Sequence, residues 1–175
     1  MRVRALKEEN ANLKAKLSRI SAAYAAIERH VALAALAARD AAALPPGGEI
    51  AIFDGWNIIL GARPQRRSQN LLRDRSELLA AAESYAGSHP GSFAWIVYDG
   101  ADEGAAMPAP HVRVSYTGGE GAQRADRLIM DFLRMISLSG QDVHITLITG
   151  DHALSRAAAK LNAKVVTPDE FIDLR

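Results

Sequence analysis

The sequence predicts an α/β protein, with a mostly parallel sheet flanked by helices and a long coiled-coil helix before it. Three observations predict this architecture. From residue 50 onward, short apolar runs alternate with segments of helical spacing. Three of these runs are followed by an aspartate. Residues 1–43 contain no Gly or Pro and repeat apolar residues every three and four positions. The chain thus divides into a helix at residues 1–43, a linker at 44–49 and a domain at 50–175.

Composition is consistent with one domain and an appendage. The chain has 175 residues, of which 49% are hydrophobic, and a net charge of +1. It contains no cysteine, which excludes a disulfide framework and a thiolate zinc site. No uninterrupted apolar run approaches the roughly 18 residues of a membrane span. The start is too charged for a signal peptide. We therefore expect a cytoplasmic protein without a membrane partner.

The first segment predicts a coiled coil of about five heptads. Asn10 falls at an a position, where a buried amide favours a parallel two-stranded register. Glu9 at g and Lys14 at the next e attract each other across such a dimer. We expect a parallel homodimer through residues 3–38, or pairing with another protein. The alternative is an amphipathic helix that packs on its own domain. The Ala-rich end from Ala32 to Ala43 has a weak seam, and we expect it either to diverge from the pair or to dock onto the domain. The seam consists of Val3, Leu6, Asn10, Leu13, Leu17, Ile20, Tyr24, Ile27, Val31, Ala34 and Ala38.

The domain reads as five strands and three main helices in alternation. Thr167 and Glu170 fit a capping box that starts a final helical turn, with Pro168 at its first position. The third strand is short and alternating, which favours a place at the sheet edge. The predicted strands are residues 50–53, 93–98, 112–116, 143–148 and 164–166. The predicted helices are residues 69–86, 122–138 and 154–161.

Four aspartates are expected at one edge of this sheet. Asp54, Asp99 and Asp151 follow strands, and Asp126 lies in the first turn of a helix that follows another strand. The carboxyl ends of parallel strands meet at the edge where ligands of such sheets bind. Any one of these aspartates alone is more typical of a turn or helix cap. Asp99 is the weakest candidate, because Asp-Gly is common turn chemistry.

Crowded carboxylates must be neutralised by protons or by a cation. Oxygen ligands without cysteine suit Mg²⁺ or Mn²⁺. Such an ion activates water and stabilises an in-line displacement at phosphorus. The residues therefore predict divalent-metal chemistry on a phosphate ester.

Four motifs resemble those of the YacP-like group of NYN domains, in the PIN-like nuclease superfamily. They are Asp54-Gly-Trp-Asn57, Tyr98-Asp99-Gly100, the segment 121–129 around Asp126, and Thr149-Gly-Asp151. The resemblance covers residues 50–174. It implies a metal-dependent endoribonuclease that acts on RNA, in some cases on translating ribosomes.

Carried over by position, the resemblance also implies roles for individual residues. Asp54, Asp126 and Asp151 match metal-binding carboxylates, to which Asp99 is added as a further candidate ligand. Asn57 matches an Asn that orients Asp54 or a metal-bound water, which places it with these three aspartates in the catalytic set. Thr149 matches a hydroxyl residue beside the last aspartate.

The helix of Asp126 departs from the family pattern. Arg127 and Met130 stand where the family often has further acids. Asp131 lies five residues after Asp126, about 140° round the helix, and is a poor substitute. These departures leave open a non-catalytic or partner-activated adaptor that binds RNA or a ribosome and is dimerised by the coiled coil.

A basic rim is expected beside the acidic centre. Arginines position a phosphate backbone without reading its sequence. The alternative for this rim is a solvated loop and helix face. The candidate RNA-binding residues are Arg63, Arg66, Arg67, Arg73, Arg124 and Arg127.

Two other phosphate-binding classes fit less well. The glycine-rich loop at residues 118–122 lacks the Lys-Ser/Thr of a P-loop. A haloacid-dehalogenase-type phosphatase needs a second aspartate two residues after the first, where this chain has Trp56.

Overall fold

The computed structural model describes residues 2–61, 71–119 and 123–173, and describes side chains within residues 6–61, 71–100, 105–119 and 123–171. The strands are β1 Gly48–Asp54, β2 Ser92–Tyr98, β3 Gly100–Ala109, β4 Val112–Gly118, β5 Val143–Ile148 and β6 Lys164–Val166. The helices are α1 Arg2–Ala42, α2 Gly55–Gly61, α3 Leu71–Ser88, α4 Arg124–Ser139, α5 His152–Ala159 and α6 Pro168–Asp173.

The strands form one six-stranded sheet in the order β3-β4-β2-β1-β5-β6. All neighbouring strands are parallel except β3, which is antiparallel to β4. The chain steps outward from β1 through β2 to β4, then crosses back to β5 on the other side of β1. The strand order therefore switches beside β1, and the expectation of a mostly parallel sheet is confirmed.

The placement of the third predicted strand at an edge is wrong. That segment is β4, which lies between β2 and β3. The edge is β3, which follows β2 after a single residue and pairs with β4 through register shifts. Its sequence, GADEGAAMPA, has no β-branched or aromatic residue, so it carries little strand signal. Pro108 is tolerated there because an edge strand does not need every backbone donor.

Helices cover both faces of the sheet. On one face, α4 and the end of α1 pack over Trp95 and Leu147, with Phe132 at the centre. On the other face, α3 and α6 pack over Phe53 and Ile96. The alternation of β2 sends Trp95 to the first core and Ile96 to the second. The final helix begins with the predicted capping box, in which the Thr167 backbone N–H donates to the Glu170 carboxylate at 2.8 Å.

The long predicted helix is present as α1, and it has two different environments. Leu33, Ala37 and Ala41 are buried in the core formed with α4. A buried ion pair between Asp40 and Arg113 of β4 fastens the same end. The docking alternative therefore holds for the last three turns of α1. The preceding apolar seam is exposed, and its pairing in a coiled coil stays a prediction.

α1 is also long enough, and apolar enough over an 18-residue window, to cross a membrane by length and composition alone. This is weak evidence, because core helices and signal sequences meet the same criteria. The expectations of a cytoplasmic protein and of no membrane partner stay predictions.

Candidate metal-binding and catalytic site

The four predicted aspartates lie together at the carboxyl edge of the sheet. Asp54 is the last residue of β1, Asp99 follows β2, Asp151 follows β5 and Asp126 lies in the first turn of α4. Asp126 and Asp151 are near enough to raise the pKa of Asp54, and Asp151 and Asp99 raise that of Asp126. The switch of strand order beside β1 thus gathers carboxylates from four separate parts of the chain.

Asp54 is the buried member of this cluster, with only 6% of its surface exposed. Burial, followed by the charges of Asp126 and Asp151, raises its pKa to about 6. Two hydrogen bonds oppose this shift: one from Thr149 Oγ1 at 2.8 Å and one from the backbone N–H of Asn57. At neutral pH the carboxylate is therefore mostly charged, at an energetic cost that a bound cation would offset.

Thr149 links two of the candidate ligands. Its hydroxyl is buried, donates to Asp54 and accepts the backbone N–H of Asp151 at 3.0 Å. Asp151 in turn begins α5: its Oδ1 accepts the amides of Ala153 and Leu154 at 2.6 and 2.8 Å. One oxygen of Asp151 is thus occupied as a helix cap. Among the described residues, no hydrogen bond goes to Oδ2.

Asn57 fixes the loop that carries Asp151. Its side-chain Oδ1 accepts the backbone N–H of Gly150 at 2.7 Å. A Cβ on Gly150 would lie only 2.8 Å from that oxygen, so any larger residue would force the Asn57 side chain to shift. The Asn57 backbone N–H, and not this oxygen, contacts Asp54. The expected orientation of Asp54 by Asn57 is therefore made by the main chain, while the side chain positions Gly150.

Asp99 has a structural role. Its Oδ1 accepts the Ala125 amide at 2.6 Å and the Thr117 hydroxyl at 3.3 Å. Gln123, the N-cap residue of α4, makes no side-chain cap, and Asp99, directly after β2, caps the helix in its place. Asp99 thereby holds the helix turn that bears Asp126.

Gly55 and Trp56 pack the segment after Asp54 against Tyr98. A Cβ on Gly55 would lie 2.3 Å from the Tyr98 ring. The Trp56 ring lies 5.0 Å from the same ring, and its Nε1 donates to the Asp99 carbonyl at 2.7 Å. The half-buried Trp56 thus contributes to packing.

The acids missing from the first turns of α4 are not replaced from elsewhere on that helix. Arg127 is exposed, and Met130 packs partly against the core. Asp131 binds His30 of α1 at 2.9 Å and Arg134 at 2.6 Å. It faces α1 and takes no part in the aspartate cluster.

The basic rim is described only in part. Arg63, Arg66 and Arg67 lie outside the described residues. Arg73 is exposed and bonds to Glu77 at 2.7 Å. Arg124 lies against Gly119 in the first turn of α4, beside Asp126, and the exposed Arg127 follows Asp126.

Arg75 was missing from the predicted set. Its guanidinium lies 5.5 Å from the Tyr98 ring centre and 4.9 Å from that of Tyr116, to whose hydroxyl it donates. The sequence could have singled out Arg75, because helical spacing places it on the same face as Leu72 and Leu79.

The donor set of the cluster fits a small, hard cation. No three acidic or histidine side chains within the described ranges are arranged to surround one ion as they stand. Mg²⁺, however, is usually held by one or two carboxylates and keeps several waters. Asp54 and Asp126 supply such carboxylates, both with pKa values raised by burial and by neighbouring charge. A bound divalent ion would offset the energetic cost of keeping both carboxylates charged.

Comparison with known structures identifies a protein with a similar fold. The crystal structure of Rae1 (YacP) from Bacillus subtilis, determined for a single-substitution mutant, is similar, with a TM-score of 0.54 at 19% identity. The match covers 72% of this chain and 74% of the other. At that identity it establishes the fold alone. No curated protein sequence matches this chain.

The family model described as the YacP-like NYN domain matches residues 51–174. That range includes all four aspartates, Asn57 and Thr149, and it leaves out all of α1, the connection to β1 and the first residues of β1. NYN domains have a nuclease-type, RNA-binding fold. The chain belongs to the YacP-like NYN domain family.

Proposed function

We propose that this protein is a metal-dependent endoribonuclease that hydrolyses RNA phosphodiester bonds at the carboxyl edge of its sheet. The observation that carries the proposal is the buried Asp54, whose pKa is raised to about 6 beside Asp126 and Asp151. Such a cluster is costly for folding, and a cation-dependent activity gives a reason to keep it. Membership of a nuclease-type family supports the choice of reaction.

The ion we propose is Mg²⁺ or Mn²⁺. When bound, a divalent ion of this kind polarises a phosphoryl oxygen and lowers the pKa of a coordinated water. Asp54 and Asp126 would hold it, with the second oxygen of Asp151 as a further ligand. Thr149 favours the charged form of Asp54 through its hydrogen bond. Asn57 keeps Asp151 in place through Gly150.

The proposed substrate is RNA, held by arginines beside this centre. Arg124 and Arg127 flank Asp126 in sequence, and Arg73 lies near the start of α3. Guanidinium groups bind phosphate oxygens in a planar, bidentate manner and suit a backbone read without base contacts. RNA within a ribosome presents the same phosphates. We therefore include a ribosome-bound substrate in the proposal.

A second candidate is an RNA- or ribosome-binding adaptor that does not cleave by itself. Two observations favour it. The described residues contain no ready three-ligand group, and Arg127 and Met130 occupy helix positions close to Asp126. Oδ1 of Asp99 and Oδ1 of Asp151 are also engaged in capping helices. Such a protein needs the arginines and the fold, but no metal.

A cleavage assay separates the two candidates. The full chain is incubated with a pool of single-stranded and structured RNAs, in Mn²⁺, in Mg²⁺ and in EDTA. Asp54→Asn, Asp126→Asn and Asp151→Asn remove one carboxylate each, and an asparagine at position 151 can still cap α5. Asp131→Asn is the matched control, because Asp131 lies on the helix of Asp126 but faces α1.

The nuclease predicts metal-dependent cuts that Asp131→Asn keeps and the other three variants reduce by at least about 100-fold, the scale of a lost electrostatic contribution. RNA that stays intact but is bound equally by wild type and variants identifies the adaptor. Cleavage that appears only when ribosomes are added identifies the partner-activated form. Cuts that survive in EDTA contradict the metal-dependent proposal.

A further inference from the structure

The strongest surface feature outside the aspartate cluster is an apolar stripe on α1. Seven large side chains of this stripe are each between 59 and 66% exposed. They are Leu6, Leu13, Leu17, Ile20, Tyr24, Ile27 and Val31. We infer that two copies of the chain pair through this stripe as a parallel coiled coil. The inference does not depend on the proposed nuclease activity.

The free part of α1 is poorly explained as a solitary helix. His30, which binds Asp131 of α4, is preceded by more than 25 residues of the helix, and every large apolar side chain of the stripe in that part is exposed. At 1.5 Å per residue, this part extends about 40 Å from the domain. A single amphipathic helix in water gains little from burying its own side chains, and most helical stability in proteins comes from packing an apolar face. The stripe is also larger than the isolated apolar residues common on protein surfaces.

The seam itself favours a second copy as the occupant. Asn10 interrupts the stripe at an a position, where its amide finds a hydrogen-bonding partner in the same residue of a parallel, in-register mate. A different apolar partner would leave that amide unpaired. Glu9 and Lys14 occupy the g and following e positions, so a parallel dimer contains two attractive pairs, each between Glu9 of one copy and Lys14 of the other. Both features are satisfied at once by a symmetric parallel dimer.

The structure also limits how far this seam extends. Ala34 and Ala38 continue the heptad in sequence, but they pack partly against the core of their own domain, beside the buried Leu33 and Ala37. The same helix cannot offer those positions fully to a second copy. The pairing region therefore ends at about Val31, which shortens the expected 3–38 to about 3–31.

The direction of α1 gives the dimer a specific geometry. Helix α4 begins at the aspartate edge, and α1 ends at the opposite edge, where it leads into β1. The His30–Asp131 contact is halfway along α4, so α1 and α4 run in the same direction. The free part of α1 thus projects past the edge that carries Asp126. In a parallel dimer, both aspartate edges face the same end of the coiled coil, on either side of it.

Cysteine cross-linking tests this arrangement cleanly, because the chain contains no cysteine of its own. Leu6→Cys places a thiol in the seam near one end, and Ala15→Cys places one on the outer f position as the control. A parallel dimer in register predicts rapid disulfide-linked dimers for Leu6→Cys and at least about tenfold slower formation for Ala15→Cys, since bridged Cα atoms must lie within about 7 Å. An antiparallel pair separates the two copies of position 6.

Light scattering on the full chain supplies the second readout. We expect twice the chain mass of 18.8 kDa, and the single mass for a Leu13→Glu/Leu17→Glu variant. Both side chains are exposed within one copy, so the domain of this variant should still unfold in one cooperative transition. A wild-type protein that stays monomeric at micromolar concentration overturns the inference. So does equal cross-linking at positions 6 and 15.

Discussion

Thr149 Oγ1 donates a hydrogen bond to Asp54 Oδ2 at 2.8 Å and accepts the backbone amide of Asp151 at 3.0 Å. A single buried hydroxyl therefore connects the end of β1 to the loop after β5, and with it two of the proposed metal ligands. The pKa of Asp54 is set by the balance between this bond and the burial that opposes it.

Removal of the hydroxyl should disturb both stability and cation binding. Thr149→Val leaves the Asp151 amide without its partner and removes one of the two hydrogen bonds to Asp54, so we expect a loss of about 1–3 kcal/mol in the free energy of unfolding. The pKa of Asp54 should rise further, which weakens Mn²⁺ binding. Urea denaturation and calorimetric titration with Mn²⁺ measure the two effects. Thr149→Ser keeps the hydroxyl and serves as the control. Equal behaviour of both variants would contradict this role.

Asp54 should make stability decrease as pH rises. Its pKa increases from 3.8 in the unfolded chain to about 6 in the folded protein. Well below pH 4 the carboxyl is protonated in both states, so Asp54 does not lower the free energy of unfolding. Between about pH 4 and 6, the folded protein must ionise a buried group, and stability falls by up to about 3 kcal/mol. Asp54→Asn should therefore be more stable than wild type at pH 7, and by less at pH 4.

Urea denaturation in EDTA across this pH range measures that difference. Asp131→Asn should follow the wild-type curve, since Asp131 is exposed and outside the cluster. Addition of Mg²⁺ at pH 7 should stabilise wild type but not Asp54→Asn, since a ligand stabilises the state that binds it. A gap between wild type and Asp54→Asn that is the same at pH 4 and pH 7 would refute the linkage.

Gly55 should tolerate no side chain. An alanine Cβ there would lie 2.3 Å from the Tyr98 ring, so the ring or α2 must move, and we expect Gly55→Ala to cost about 1–3 kcal/mol. Gly87→Ala is the matched control: Gly87 also lies in a helix, but no atom is within 4 Å of its Cβ position. There alanine should stabilise by about 0.5–1 kcal/mol. Thermal unfolding measures the change in stability of both variants. Changes of the same sign for Gly55→Ala and Gly87→Ala would refute the packing argument.

The ion pair between Asp40 and Arg113 should be essential to the docking of α1. Only 4% of the Arg113 side chain and 13% of Asp40 are exposed. Asp40→Ala leaves a buried, unpaired guanidinium, and we expect a loss of about 3–5 kcal/mol in the free energy of unfolding. Asp131→Ala removes a half-exposed partner of His30 and should cost less than about 1 kcal/mol. Chemical denaturation compares the two. Similar losses would mean that the buried pair does not anchor the helix.

Much of this fold could be predicted because its signals are local. The run before Asp54 is continuous and apolar, which indicates a buried parallel strand, and the geometry of parallel strands then gathers the aspartates that follow them. The small residues of β3 gave no such signal. The contacts of Asn57 with Gly150 and of Asp99 with Ala125 join segments more than 25 residues apart. Their partners depend on how loops and helix ends meet after folding, which no local pattern encodes.

The last three turns of α1 also set the length of the shortest fragment that we expect to fold by itself. A chain that began at the first strand would lose the wall of the core formed by Leu33, Ala37 and Ala41, and Arg113 would lose its counter-ion. The smallest fragment expected to fold thus starts near residue 29, well upstream of residue 51, where the match to the family model begins. A protein fused at that point would be connected through a helix whose direction relative to the aspartate edge is fixed by its packing on the domain.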